Sequence, residues 1–556
     1  MLSRPHLIYI NWSSYDELSD VVQLTESLAM QQFEAVSRLR RSGVPIDAYL
    51  MDCFWHARGG GYREWRQPHW PNGPEAWLSA CQAEGILPGL WFGTNNLRVA
   101  QMDPTPAWLN SVTGDGATCS MFEGGFWPDF LNALRGWYDR GVRVFKFDFA
   151  DFSAATPVGK RTLLPHEIFL ANRTACLGGL RAFKEACPEA ILLAYNGFEE
   201  ASLQSNTFEP IRKVVDGRLL DVFDGLYCGD PRPADVPAAT FWRAKDVYSD
   251  HQVWNYLQNQ VPASRIDSSA FMIGLTGTCY FRGKARWKGM LLLELVRAGW
   301  TNTLYGNLDL LDDADAAWMA RATRSLLPLQ QTGSLKYHGT ARPGDGLPYA
   351  WELSHATGGV MALVNPSQDP AVIPGPAGRV LFAECPSLPS VTSQGWPVAP
   401  EQVLLVGWGD FDSLEYELGA DTDWPTVTDR TVLASNVIDD STLTLEIPIP
   451  AGPAHSIRVI VQQFDSAGNP CRTTGGAPPN GTLLGDLLQV TINDAHNNAV
   501  IPTREDHKQI WSGLSWGVVE FDATGAGSWQ VTVKATDPRV RRISASAAAI
   551  TYAPQS

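Results

Sequence analysis

Short apolar runs alternate with amphipathic stretches over the first 300 residues. The runs Leu7–Asn11, Asp47–Asp52, Leu87–Phe92, Val142–Phe149, Ile191–Tyr195, Val222–Cys228, Asp246–Asp250 and Thr276–Phe281 are rich in β-branched and aromatic residues. That is the pattern of buried parallel strands. Between them, Ser27–Ser42 sets Leu28, Phe33, Val36 and Leu39 on one helical face and stops at Gly43. Pro74–Glu84 opens on Pro and stops at Gly85, Phe126–Arg140 stops at Gly141, and His166–Ala186 and Arg286–Ala298 are further helical stretches. Eight such units predict a (β/α)8 TIM barrel. For the eighth strand, Thr303–Asp309 competes with Thr276–Phe281. No Gly-rich phosphate loop follows the first strand, which disfavours a doubly wound sheet.

The pattern changes near residue 335. Tyr349–Leu353, Gly359–Val364, Val380–Ala383 and Val403–Gly407 are short strands broken by Gly and Pro, which predicts a small antiparallel domain. A linker follows Gly409. From about 425 the alternation of strand and turn predicts a β-sandwich. The expected domains are therefore 1–335, a barrel, then C-terminal all-β domains at 336–412 and 425–556. The last is expected to bind glycan or to mediate homo-oligomer formation.

Polar residues gather just past the predicted strands, where a barrel carries its chemistry. Two acids stand out: Asp148 in Lys-Phe-Asp-Phe-Ala-Asp151 and Asp230 in Tyr-Cys-Gly-Asp-Pro231. A carboxylate at the end of a buried strand is costly to place. Two of them aimed into one hollow can serve as nucleophile and general acid of a retaining glycosidase. Lys146 alternates with Asp148 and is expected on the same side of its strand, favouring the ionised acid. The competing reading is that Asp148 caps the next segment and that Asp230 opens an Asp-Pro turn. Trp12, Trp91, Tyr195, Asn196, His251 and Arg282 also fall at or after predicted strands. Each is a candidate sugar contact, with core packing, capping or a surface ion pair as its alternative.

Composition narrows the classes. Of 556 residues, 44% are hydrophobic and 18% charged, which indicates a folded protein with a large core. A formal charge of −16 argues against nucleic acid and anionic membranes and is compatible with a neutral glycoside substrate. Tryptophan is abundant at 21 residues, which suits sugar-binding faces as well as a core. The ten histidines are dispersed without metal-ligand spacing, so no metal or cofactor is expected. Nine scattered cysteines and an N-terminus without a signal-peptide layout predict reduced thiols and a cytoplasmic location.

Several segments together resemble the retaining α-glycosidases of clan D, glycoside hydrolase families 27, 31 and 36. Lys146-Phe-Asp-Phe-Ala-Asp151 is similar to their nucleophile strand, and Tyr227-Cys-Gly-Asp230 to the acid/base segment of family 31. Gly43 to Trp55 resembles a second-strand motif whose acidic residue, here Asp52, binds the terminal sugar. Gly89-Leu-Trp-Phe92 is similar to the third strand of family 36. Tyr248 to Trp254 and Ile273 to Tyr280 resemble its last strands. The resemblance spans roughly residues 7 to 410. It implies Asp148 as nucleophile, Asp230 as acid/base, and Asp52, Trp55 and Lys146 as sugar contacts. It implies a retaining exo-acting α-glycosidase with α-galactoside favoured. The alternatives are an α-glucosidase, an α-xylosidase or a transglycosylase on the same dyad. A non-catalytic carbohydrate-binding barrel is the alternative from another class. Cys53 stands where family 36 carries a second Asp, removing one expected galactose contact. The first strand starts near residue 7, without the large β-domain that precedes the barrel in families 31 and 36.

Overall fold

The computed structural model describes residues 2–11, 24–198, 216–228, 241–269, 271–273, 286–386, 388–423, 425–473, 485–507 and 513–554, with positions 235, 284 and 509; for 241–248 only the backbone is described. The chain divides into two compact units. The first comprises residues 1–230, 255–273 and 298–331, the second 231–254, 274–297 and 332–556.

The first unit holds a closed parallel barrel. Its strands are β1 (His6–Ile10), β2 (Ile46–Met51), β3 (Leu87–Phe92), β4 (Val144–Phe147), β5 (Ile191–Ala194), β6 (Gly225–Tyr227), β7 (Ile266–Ser268), β8 (Met272–Ile273) and β9 (Thr301–Gly306). Neighbours pair in parallel around the ring, and β9 closes onto β1 with Tyr9 opposite Leu304. β7 and β8 both pair with β9, Asp267 opposite Thr301 and Met272 opposite Tyr305. They are two pieces of one interrupted strand, so the ring has eight strand positions, as a (β/α)8 barrel requires.

Helices α1 (Glu26–Arg41), α2 (Glu75–Glu84), α3 (Phe126–Asp139), the single turn α4 (Gly159–Thr162) and α5 (Pro165–Ala186) connect the early strands. The Thr25 hydroxyl caps α1 by accepting from the Leu28 amide at 3.2 Å, and Gly85 ends α2 in the left-handed conformation at φ 65°. Alternation along each strand sorts side chains between helices and barrel interior. On β4, Phe145 lies 5.2 Å from Phe183 of α5 and Phe147 lies 6.3 Å from Phe130 of α3. Lys146 and Asp148 therefore point inward. On β3, Phe92 meets Phe130, which turns Trp91 inward; on β2, Tyr49 donates to the Ala29 carbonyl of α1, which turns Leu50 and Asp52 inward.

The expected seventh strand is corrected. Residues Asp246–Asp250 lie within α6 (Phe241–Gln258), an 18-residue helix. A five-residue aromatic and β-branched window reads alike in a buried helix and a strand, and the uninterrupted run around it decides for helix. The true seventh position, β7 with β8, is short and partly polar. For the eighth, Thr301–Gly306 forms the strand; residues 276–281 lie outside the described residues.

In the second unit, α7 (Trp287–Val296) is buried on nearly every side and packs against a β-sheet. That sheet runs in spatial order Ser334–Gly339, Tyr349–His355, Gly358–Asn365, Gln402–Gly409, Arg379–Ala383 and Gly419–Ala420. Two further sheets follow. One is built on Val427–Ile438, Arg542–Tyr552, His455–Phe464, Trp516–Ala523 and Arg504–Asp506. The other is built on Thr442–Ile449, Gly527–Ala535, Leu488–Asn493 and Ala499–Val500. Leu443, Leu445, Ile447 and Ile449 alternate inward along one strand, as sheet burial on one face demands. A (β/α)8 barrel followed by all-β sheets is thus the fold. Among the described residues no helix is long and apolar enough to cross a membrane, and the eight described cysteines are all free thiols.

Candidate active site

The carboxyl ends of β2, β3, β4 and β5 bring six expected residues together: Asp52, Trp91, Lys146, Asp148, Tyr195 and Asn196. Trp91 on β3 is opposite Lys146 on β4 in the parallel register, and its indole Nε1 donates to Asp148 Oδ2 at 3.0 Å. Asp148 Oδ1 accepts from Asn196 Nδ2 at 2.7 Å, from the Asn196 amide at 3.1 Å and from the Phe149 amide at 3.0 Å. Asp148 is 5% exposed. Donors on both oxygens orient and stabilise a carboxylate that would otherwise be expensive to bury.

Lys146 Nζ sits 2.7 Å from Asp52 Oδ2, both almost fully buried. The ammonium also stands 4.2 Å from the centre of the Tyr195 ring, a cation–π contact. Burial alone would lower the Lys146 pKa, but the charges of Asp52 and Asp148 outweigh it and the pKa is raised. Lys146 is therefore a fixed cation between two acids. Asp52 is held in turn: its amide donates to Asn11 Oδ1 at 2.9 Å, and its Oδ1 accepts from the Cys53 amide at 2.8 Å.

Tyr195 stacks on Tyr227 at 4.1 Å, and its hydroxyl meets that of Tyr305 at 3.1 Å across the barrel. Burial, with Asp267 and Tyr305 nearby, holds the Tyr195 hydroxyl protonated well above the usual range. It can donate a hydrogen bond but is no base. Asp267, fully buried, accepts from the Thr303 hydroxyl at 2.8 Å, and burial raises its pKa.

The backbone here is unusual. Phe149, next to Asp148, has φ 53°, and Thr94, past β3, has φ 44°. Left-handed conformations are costly for such residues and concentrate at functional sites. Gly197 (φ 92°) has no alternative, since a Cβ there would lie 2.0 Å from the Ala150 carbonyl oxygen. The loops after β4 and β5 meet at that point, where the Ala150 amide donates to the Asn196 carbonyl at 3.0 Å.

Two expected contacts are placed elsewhere. Trp55 is fully buried behind the site, its indole donating to the Trp91 carbonyl at 2.8 Å and its ring packed with Tyr62, Trp65, Phe92 and Trp137. It has no face free for a sugar. Trp55→Ala is expected to cost about 3–5 kcal/mol of stability, as truncation of a buried Trp does, read by denaturant unfolding. His251 lies on α6 in the second unit, with its ring 3.4 Å from the place a Cβ on Gly344 would occupy. Burial lowers its pKa to about 4, so it is neutral at pH 7. Asp230, Trp12 and Arg282 lie outside the described residues. Sequence reasoning missed Tyr305 and Asp267. Tyr305 stands on the strand treated as a competitor, and Asp267 on a three-residue strand too short for any periodicity. Among the described residues no group of His, Cys, Asp or Glu is arranged to hold a metal ion.

No protein-family model matches the chain, and no curated protein matches it. Solved structures do. The galactosidase domain of an α-galactosidase–sucrose kinase is 12% identical, with 73% of this chain and 55% of that one aligned at a TM-score of 0.47. The α-galactosidase from Lactobacillus brevis is 11% identical over the same shares, also at 0.47. The isomaltodextranase from Arthrobacter globiformis T6, complexed with panose, is 12% identical over 98% of this chain and 96% of that one, at 0.46. This chain spans little more than half the length of the first two. The fold rests on the strand pairing described above, and these likenesses say nothing of which sugar, if any, is cleaved.

Proposed function

We propose that this chain is a retaining, exo-acting α-glycoside hydrolase, with a terminal α-galactoside the favoured substrate. The observation that carries the reading is Asp148. It is a buried carboxylate at the carboxyl end of a barrel strand, oriented by Trp91 and Asn196, beside the Lys146–Asp52 pair. A structural cap would need neither the indole donor nor the neighbouring cation.

In this reading Asp148 attacks the anomeric carbon while Asp230 protonates the leaving oxygen, giving a glycosyl ester on Asp148. Asp230 then takes a proton from water, which displaces the ester and restores the original configuration. The two carboxyl groups must stand roughly 5–5.5 Å apart. Asp52 and Lys146 offer an acceptor and a donor to adjacent hydroxyls of the terminal sugar. Lys146 also favours the ionised form of the attacking acid.

A panel of nitrophenyl α-glycosides (galactoside, glucoside, N-acetylgalactosaminide, xyloside) with NMR of the first-formed product tests the reading. Net inversion, or no turnover of any member, would count against it. Asp230→Asn is expected to slow natural disaccharides by roughly 10²–10⁴-fold and nitrophenyl substrates much less, because only the former need a proton on the leaving oxygen. Equal loss on both would remove Asp230 from the acid role.

A further inference from the structure

The reaction outlined above uses Lys146 but not the rings around it. Tyr305 lies on β9, opposite Ile10 of β1 and Met272 of β8, and is 1% exposed. Its hydroxyl meets the Tyr195 hydroxyl, which reaches it from the end of β5, at 3.1 Å. Lys146 Nζ stands 4.2 Å from the centre of the Tyr195 ring and 5.8 Å from that of Tyr305. The Tyr227 ring stacks on Tyr195 at 4.1 Å and 16°. Two groups at nearly the same height cannot share one face of a ring. Tyr227 and the ammonium therefore lie on opposite faces of Tyr195, and the ring cannot tilt away from the cation.

A lysine is a point charge on a flexible four-carbon stem. Among the described residues its one hydrogen bond goes to Asp52 Oδ2, at 2.7 Å. A single bond leaves the ammonium free to swing about it. Two ring faces oppose that swing, because each attracts the cation without taking up one of its N–H donors. The rings must themselves be held, and phenylalanine would fill the same volume. Buried hydroxyls are costly unless bonded, so the two on Tyr195 and Tyr305 point to a use for their bond. Asp267 on β7, fully buried, faces the Tyr195 hydroxyl and favours its protonated form. Gly225 on β6 leaves room for that acid: a Cβ there would stand 3.3 Å from Asp267 Cβ and 2.8 Å from Thr301 Oγ1.

We propose that Tyr305 is a positioning residue: its hydroxyl ties Tyr195 in place, and the two rings hold Lys146 Nζ at a fixed point beside Asp52. The inference rests on the glycosidase reading above and deepens it. The place at which Lys146 meets the terminal sugar is set from β9 and β5 as well as from its own strand.

The test compares Tyr305→Phe, Tyr195→Phe and the double variant by two measurements. The first is NMR of protein labelled with 13C-lysine, in which the Lys146 εCH2 signal is identified by its loss in Lys146→Arg. A ring face so close to the ammonium displaces that signal from those of exposed lysines. The second is KM and kcat on the nitrophenyl α-glycoside the wild type prefers. In each single variant the signal should move toward those of exposed lysines. KM should rise about tenfold, the scale of one lost hydrogen bond to a charged group, with kcat within about threefold. The double variant should be no worse than either single one, since both cut the same bond. A signal that stays in place in both single variants overturns the proposal. So does a fall in kcat at unchanged KM, which is what a smaller folded fraction gives, or a double variant whose loss is the sum of the two. If the wild type turns over no glycoside, the glycosidase reading has failed separately and the Lys146 signal alone decides.

Discussion

Asp148→Asn should reduce turnover by roughly 10⁴-fold or more, because the amide cannot form the covalent ester on which double displacement depends. The change is nearly isosteric, yet not silent structurally. Both carboxylate oxygens now accept hydrogen bonds, from the Trp91 indole on one side and from Asn196 and the Phe149 amide on the other. An amide must turn its NH2 toward one of those donor sets, so a stability loss of about 1–3 kcal/mol is expected. Thermal unfolding of the variant beside its kinetics separates the two effects. Asp148→Ala supplied with azide and a nitrophenyl α-glycoside should yield the β-glycosyl azide, since the small anion enters from the face the carboxylate vacated. Wild-type turnover by the Asn variant would end the assignment.

Lys146→Met is the second large effect. It leaves Asp52 buried without its cationic partner, and breaking a buried pair this way costs about 3–5 kcal/mol. Activity should fall with it, because Asp148 loses the neighbouring cation. The pH dependence follows from the raised Lys146 pKa. A lysine whose folded pKa exceeds its unfolded value contributes stability that is fully present below the unfolded value. That contribution is lost as pH rises through the folded one. The gap between wild type and variant should therefore hold steady over roughly pH 6–9 and narrow only in strong alkali. Urea unfolding across that range reads it; a gap that closes near neutral pH would contradict the assignment. Adding Asp52→Asn to Lys146→Met should recover part of the lost stability by removing the stranded charge.

Strands one to six were legible because each is a short apolar run bounded by polar residues. β4 carries its chemistry in the same letters, Lys146 and Asp148 alternating with phenylalanines that face the helices. The seventh position was not legible. Ile266–Ser268 and Met272–Ile273 are too brief for a period, while the aromatic stretch before them belongs to a helix. Trp55 and Trp91 read alike in sequence. Only packing shows one sealed inside an aromatic cluster and the other bonded to a carboxylate.

Hydrophobic spacing along the chain determined the barrel, the β-rich second half and the identity of the acid at the end of β4, since alternation and strand termination are local properties. Tertiary structure alone decided which groups share that acid's surroundings. Asp52 meets Lys146 across 94 positions of chain and Tyr195 meets Tyr305 across 110. Such pairings depend on how the sheet closes on itself, which no window of neighbouring residues contains.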